Sequence, residues 1–265
     1  MARASFLGEG SGYWDKRAPY ICGGTQNNPF VTQTLKRLRL HPTDTVLDLG
    51  AGNGALTIPL SRKVKSVTAL DNSPGMLKIL RQRAREEGAT NIRILHKDWQ
   101  EVEIGHGLPV HDVVIASRCL PMGDLRISLP KMLQAGRRAW FVIWRIPTRN
   151  DSYAAAAAIL GRPYQPFPEH TILVSLLYDL GIYANVEIYA TRMKRRFASL
   201  EEAIDESVRG TSVSPEERTR LGAYLQGVLT QGRDGWIMDI PVRWALLWWE
   251  AENGNSDVLP QMSKR

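Results

Sequence analysis

Cysteine is scarce: Cys22 and Cys119 are the two thiols of the chain. Two thiols make neither a disulfide framework nor a cysteine zinc site, so a reducing, cytoplasmic compartment is expected and no bound metal. The amino terminus lacks the apolar core of a secretory signal. The longest apolar stretches, Ala154–Leu160 and Trp244–Trp249, fall far short of the roughly 20 residues that cross a bilayer, so no membrane partner is expected. There is no internal repeat and no low-complexity tract. What remains is the composition of an ordinary globular protein, 43% hydrophobic and 23% charged over 265 residues. That length buries a full core and leaves room for one added subdomain.

The charge is not balanced. The formal net charge is +7, with basic clusters at Lys36–Arg39, Arg81–Arg85, Arg137–Arg138 and Arg192–Arg196. A basic balance points to nucleic acid or to an acidic substrate. The clusters are scattered, however, and no aromatic-basic RNA motif accompanies them. They read as solvated helix faces and strand ends, and nucleic acid stays the second partner class rather than the first.

The most informative stretch is Thr45-Val46-Leu47-Asp48-Leu49-Gly50-Ala51-Gly52-Asn53-Gly54-Ala55-Leu56. An apolar run breaks into glycines at every second position and resumes at Leu56 and Leu60 with helical spacing. This predicts a buried strand, a tight turn and a helix start. Glycines suit a turn whose φ angles a Cβ resists and whose backbone a ligand must approach. The helix that follows would turn its free N–H groups toward that ligand. Two ligand classes use such a turn. Gly50, Gly52 and Ala55 satisfy the Gly-x-Gly-x-x-Gly/Ala pattern of nicotinamide enzymes. Against that reading, Asp48 stands inside the strand, where a dinucleotide fold usually has an apolar residue, and a further acid, Asp98, closes the third apolar run. With these two acids the chain resembles the class I, Rossmann-like S-adenosylmethionine (SAM)-dependent methyltransferases, whose first motif reads Asp-x-Gly-x-Gly-x-Gly. The resemblance covers about residues 44–145.

Strand-like and helix-like segments alternate through this region. Strands are predicted at Thr45–Leu49, Ser66–Leu70, Ile92–His96, Asp112–Ala116 and Ala139–Trp144. Helices are predicted at Asn27–Leu40, from Ser73-Pro74 to about Glu87, and over Leu125–Gln134. Such alternation gives a parallel sheet covered on both faces. Beyond Arg145 come helices at about 151–160 and 171–180 and a strand at Val186–Thr191. Two helices with start signals follow, the capping box Ser199-x-x-Glu202 and, at Ser214-Pro215-Glu216-Glu217, an N-cap with proline at N1. A last strand is predicted at Ile240–Trp249. The resemblance implies an α/β fold with a seven-stranded, mostly parallel, doubly wound sheet, its last strand antiparallel, and a helical cap insertion. The expected organisation is an N-terminal lid segment over 1–42, a SAM-binding domain over 43–250 with the cap at about 197–235, and a polar tail over 251–265.

The resemblance also implies roles. Gly50, Ala51 and Gly52 would lie against the cofactor, and Asp48 would orient that turn or reach the methionine amino group through water. Asp71, 17 residues after Gly54, would accept the ribose hydroxyl hydrogens, the alternative being a turn cap. Asn72 follows it, and Met76 would lie against the adenine. Asp98 would accept from the adenine amino group, with the Trp99 backbone N–H or ring completing that pocket. Ser117 would meet the cofactor, and Tyr13 and Arg17 would belong to the lid, Arg17 facing the methionyl carboxylate. For the acceptor the candidates are Arg118, which would anchor an anion or form a surface ion pair, and Tyr224 and Trp236, which would stack on it.

Several specialised patterns are missing. No Asn/Asp-Pro-Pro-aromatic run follows strand four, which argues against adenine or glutamine amino methylation. There is no Pro-Cys pair, although Cys119 keeps cytosine C5 chemistry open, and the paired glutamates of arginine methyltransferases are absent. None of His41, His96, His106, His111 and His170 stands in a base–orienter pattern, so no catalytic base is assigned. The expected activity is methyl transfer from SAM to a small-molecule acceptor, with S-adenosylhomocysteine (SAH) as product. An RNA methyltransferase and a non-catalytic SAM-binding regulator are the alternatives.

Overall fold

A computed structural model describes residues 12, 14, 15, 18, 28–119, 124–147, 152–163, 169–208 and 212–251. Tyr13 and Arg17, Leu120 and Pro121 and most of the polar tail lie outside the described residues. The elements in chain order are α1 (Pro29–Leu35), β1 (Thr45–Leu49), α2 (Thr57–Ser61), β2 (Ser66–Asp71), α3 (Pro74–Glu86), β3 (Ile92–His96), β4 (Glu103–Ile104), β5 (Gly107–Leu108), β6 (His111–Ser117), α4 (Leu125–Gln134), β7 (Gly136–Ile146), α5 (Ser152–Ile159), α6 (His170–Asp179), β8 (Asn185–Phe197), α7 (Leu200–Val208), α8 (Pro215–Val228), β9 (Thr230–Gly232) and β10 (Gly235–Glu250). The main sheet has the order β3-β2-β1-β6-β7-β10-β8, and β9 pairs with β10. Pairs β1–β2, β1–β6, β2–β3 and β6–β7 are parallel, and the last strands are antiparallel. The expected mostly parallel sheet is therefore present, with one strand more than the seven anticipated.

The chain divides into two compact units. The first comprises Met1–Trp144, His170–Ile188 and Ala245–Arg265. Its central strands β1 and β6 are buried on both faces, with Val46, Leu47, Leu49, Val113, Val114 and Ile115 all inaccessible to solvent. This is why they read as continuous apolar runs rather than as alternating ones. Register places Leu49 beside Leu70 and Ala116, and Asp71 beside His96. The carboxyl ends of β1, β2, β3 and β6 therefore finish at one edge of the sheet. Ligands in open α/β sheets bind outside that edge. At the opposite edge Arg138 pairs with Asp44 at 2.5 Å, and Asp112 accepts from Thr45 and from Arg137.

Helix α3 shows how the sequence sets local structure. Ser73 accepts from the Met76 N–H as N-cap, Pro74 stands at N1, and Arg83 and Arg85 lie in the last turn, where cations suit the helix dipole. Its apolar side, Leu77 and Leu80, packs with Ala51, Ile58 and Ala69. Burial of each of these leucines stabilises by about 1.5–3 kcal/mol and fixes α3 against the glycine turn.

The second unit comprises Arg145–Glu169 and Tyr189–Trp244, a wider span than 197–235. Its core joins Phe197, Ala203, Ile204, Leu221, Leu225 and Met238. Ser214 caps α8 with Pro215 at N1, as its sequence predicts, and Glu217 completes a capping box there. At α7 the Ser199 hydroxyl accepts from the Glu202 N–H, while the Glu202 carboxylate takes the Ala198 N–H instead of the expected Ser199 one.

Candidate functional site

The turn after β1 is held from four sides. Asp48 is buried in the strand, and its carboxylate accepts from the Thr57 hydroxyl of α2 at 2.6 Å. Arg83 of α3 donates to the Asn53 carbonyl. The Ala51 N–H donates to the Leu70 carbonyl of β2, and the Gly52 N–H donates to the Asp71 carboxylate at 2.8 Å. The fourth side is Cys119, whose Sγ donates to the Leu49 carbonyl.

Asp71 thus does more than close a strand. One oxygen takes the Gly52 N–H and the other takes the Ser73 N–H, which ties the glycine turn to the start of α3. A carboxylate oxygen accepts more than one donor, so these bonds leave acceptor capacity for ligand hydroxyls. Beyond it, Asn72 Nδ2 donates to Asp98 Oδ2 at 3.2 Å, and His96 Nε2 contacts the Asn72 carbonyl. Asp98 Oδ1 accepts from the Gln100 N–H. Trp99 is 2% exposed, and Met76 is buried at the start of α3. Asp48, Gly50–Gly52, Asp71, Asn72, Asp98 and Ser117 therefore finish on one edge of the sheet.

The electrostatics follow from burial. Asp48 is pushed up to about 7, chiefly by desolvation and further by Asp71, against the Thr57 hydrogen bond. Desolvation also raises Asp71, opposed by the N–H groups of Ser73, Gly52 and Asn72, and Asp15 raises it again. Burial pushes the Cys119 thiol up, and Asp48 and Asp71 add to that shift. A thiol so disposed is held in its neutral form, which argues against the cytosine C5 reading left open by the sequence.

Two site features escape any sequence pattern. Asp15 Oδ1 accepts from the Ser73 hydroxyl at 2.6 Å and from the Gly75 N–H at 2.8 Å. It therefore caps α3 from 58 residues away in sequence. Arg118 has φ +59, the left-handed region, and its guanidinium lies 4.5 Å from the centroid of the Phe30 ring in α1. The exposed Arg118 side chain thus has an aromatic partner in Phe30. Tyr224 and Trp236 are partly buried against the core of the second unit. His111 Nε2 is engaged with Thr68 in the core, a structural placement.

The residues at the sheet edge fit SAM. SAM carries a ribose diol, an adenine and a net positive charge. Buried carboxylates at Asp48 and Asp71 suit that charge. A Cβ at Gly52 would meet nothing within 4 Å, so the turn is open to a ligand there. Among the described residues the Ser117 hydroxyl and the Trp99 indole N–H are buried without a hydrogen-bond partner, an unusual state for polar groups.

Comparison with known proteins agrees with this geometry. Residues 46–138 match the family model described as a methyltransferase domain. A Haemophilus influenzae protein of uncharacterised function is 27% identical over 90% of this chain and 89% of its own length. A probable ribosomal RNA small subunit methyltransferase A of Methanosphaera stadtmanae is 34% identical, but over 31% of this chain and 29% of its own length. Among solved structures, the YcgJ protein of Bacillus subtilis superimposes with a TM-score of 0.56 at 12% identity, covering 84% of this chain and 98% of that one. Magnesium protoporphyrin IX methyltransferase of Synechocystis, solved with SAH, gives a TM-score of 0.52 at 16% identity, covering 91% of this chain and 94% of that one. At such identity these two likenesses speak to fold. Residues 46–138 thus match a methyltransferase domain, and the sheet that carries their glycine turn and its acids has the Rossmann-like fold of SAM-dependent methyltransferases.

Proposed function

We propose that the chain methylates a small-molecule acceptor. The observation that carries this reading is the state of the basic clusters. Arg37 pairs with Glu187, Arg137 with Asp112, Arg138 with Asp44, Arg192 with Asp239 and Arg195 with Glu206. These cations are neutralised locally, whereas a nucleic-acid surface keeps its cations for phosphates. The rRNA methyltransferase matches reach about a third of the chain and a third or less of those proteins, so they support the methyl donor more than the acceptor.

In this reading Asp71 and Asn72 hold the ribose, Asp98, Trp99 and Met76 the adenine, and Gly50–Gly52, Asp48 and Ser117 the methionyl end. SAM supplies a methyl group on a sulfonium, already a good leaving group. The chain's own work is alignment and exclusion of water, and proximity of that kind contributes about 7–11 kcal/mol. A base is needed only where the acceptor must lose a proton. Asp15 and Ala18 lie against Gly75, where an added Cβ would come within 2.9 Å of Asp15 Oδ1. That supports a lid role for the N-terminal segment, with Asp15 as its latch.

The test is a labelled-methyl assay with cell extract separated into a dialysable fraction and purified RNA. Label entering the dialysable fraction supports the proposal. Label entering ribonuclease-sensitive material moves the reading to an RNA acceptor. Normal SAM binding without transfer to either fraction points to a SAM-binding regulator.

A further inference from the structure

We propose that Lys131 of α4 is a positioning residue for adenine recognition, acting through the Asp98–Gln100 turn. This rests on the reading of Asp98 as the acceptor for the adenine amino group. The Lys131 ammonium donates to the Trp99 carbonyl at 2.5 Å and to the Gln100 carbonyl at 3.0 Å. It also lies 5.0 Å from the centroid of the Trp99 ring, within reach of a cation–π attraction. One side chain therefore grips two consecutive carbonyls and one ring of the turn that carries Asp98.

The rest of the turn is fixed from within and from the end of β2. The Asp98 carboxylate accepts from the Gln100 N–H at 2.9 Å and from Asn72 at 3.2 Å, and the Asp98 carbonyl accepts from the Glu101 N–H at 3.1 Å. The Gln100 and Glu101 bonds orient the carboxylate relative to its own loop, and the Asn72 bond ties it to the end of β2. Lys131 reaches in from α4 and ties the loop's backbone at Trp99 and Gln100 to that helix, beside the tie that Asn72 makes to Asp98 from the end of β2. Burial lowers the Lys131 pKa, while Asp98 and Glu103 raise it again, a balance that suits a cation tied down beside acids. The effect of Lys131 on recognition passes through Asp98 and Trp99.

A positioning role differs from a merely stabilising one in what it does to selectivity. The probe pair is SAH and S-inosylhomocysteine, which carries an oxo group in place of the adenine amino group. Binding of both is measured by calorimetry on the wild type, Lys131→Met, Lys131→Arg and Asp98→Ala. The wild type should favour SAH by at least about tenfold, as for a hydrogen bond to a charged acceptor. Lys131→Met should bring that preference to within about threefold of unity, and Lys131→Arg, which keeps the cation and its donors, should retain most of it. Equal weakening of both ligands by Lys131→Met, with the preference intact, would show a stabilising role and overturn the inference. A preference unchanged in Asp98→Ala would instead overturn the underlying assignment of Asp98. The two failures are thus read from different variants.

Discussion

The side chain of Cys119 occupies the space that a Cβ on Gly50 would need. An added Cβ at Gly50 would come within 2.2 Å of the Cys119 Cβ and 2.9 Å of its Sγ. Gly50 also has φ +63. The first glycine of the turn is therefore demanded twice, by backbone conformation and by the strand-end residue packed on it. The carboxyl ends of β1 and β6 meet at this contact.

Gly50→Ala should consequently destabilise the chain by roughly 2–5 kcal/mol, combining a left-handed non-glycine residue with overpacking. Denaturant unfolding measures this. Cys119→Ala, which keeps the Cβ but removes the thiol, should leave methyl transfer within a few-fold of wild type. Loss of all turnover in that variant with SAM binding preserved would restore a nucleophilic role for the thiol.

Asp48 gives the site a pH dependence of defined sign. Its folded pKa of about 7 lies above the ordinary carboxylate value of 3.8. The folded chain therefore holds a proton that the unfolded chain has released. This contribution to stability is complete below about pH 4 and is lost as pH rises toward 7. In the SAM-free protein, Asp48→Asn should flatten this component relative to wild type across that window. A cationic ligand favours the ionised form, so the affinity for SAM relative to SAH should rise through pH 7 in the wild type and stay level in Asp48→Asn. A parallel pH profile for wild type and variant would contradict the assignment.

Asp15 should act as a latch on α3. Asp15→Ala removes the acceptor for the Ser73 hydroxyl and the Gly75 N–H, and Gly75→Val fills the space against which Asp15 and Ala18 pack. Either change should speed tryptic cleavage after Lys16 and Arg17, followed by intact mass, while the remainder of the chain resists. Cleavage at the wild-type rate in both variants would dismiss the latch.

Much of the first unit was legible because its signals are local. Val46–Leu49 is a continuous apolar run, the glycines follow it at fixed spacing, and Ser73-Pro74 announces α3. The same holds for Ser214-Pro215-Glu216-Glu217. What escaped depends on contacts distant in sequence or on elements too short for periodicity. β4 and β5 have two residues each and β9 has three, below any repeat. β8 and β10 run to 13 and 16 residues, longer than expected, because their polar ends are carried by cross-strand partners such as Arg192 with Asp239. Asp15 and Lys131 act on backbone groups 60 and 32 residues away, where composition leaves no trace. The Arg118 backbone, left-handed at a non-glycine residue, was equally unreadable. It stands just beyond the end of β6, where its N–H donates to the Ile143 carbonyl of β7.

Asp71 joins the glycine turn, the start of α3 and the expected ribose site, so it carries the central claim. The most direct measurement is calorimetric titration of wild type and Asp71→Ala with SAM and SAH, with NAD and NADP as controls. The wild type should bind the first pair alone. The variant, still folded by circular dichroism, should bind SAM and SAH at least about tenfold more weakly, as expected for lost bonds to a carboxylate. Unchanged affinity in Asp71→Ala, or binding of NAD by the wild type, would contradict the assignment of this edge of the sheet to SAM.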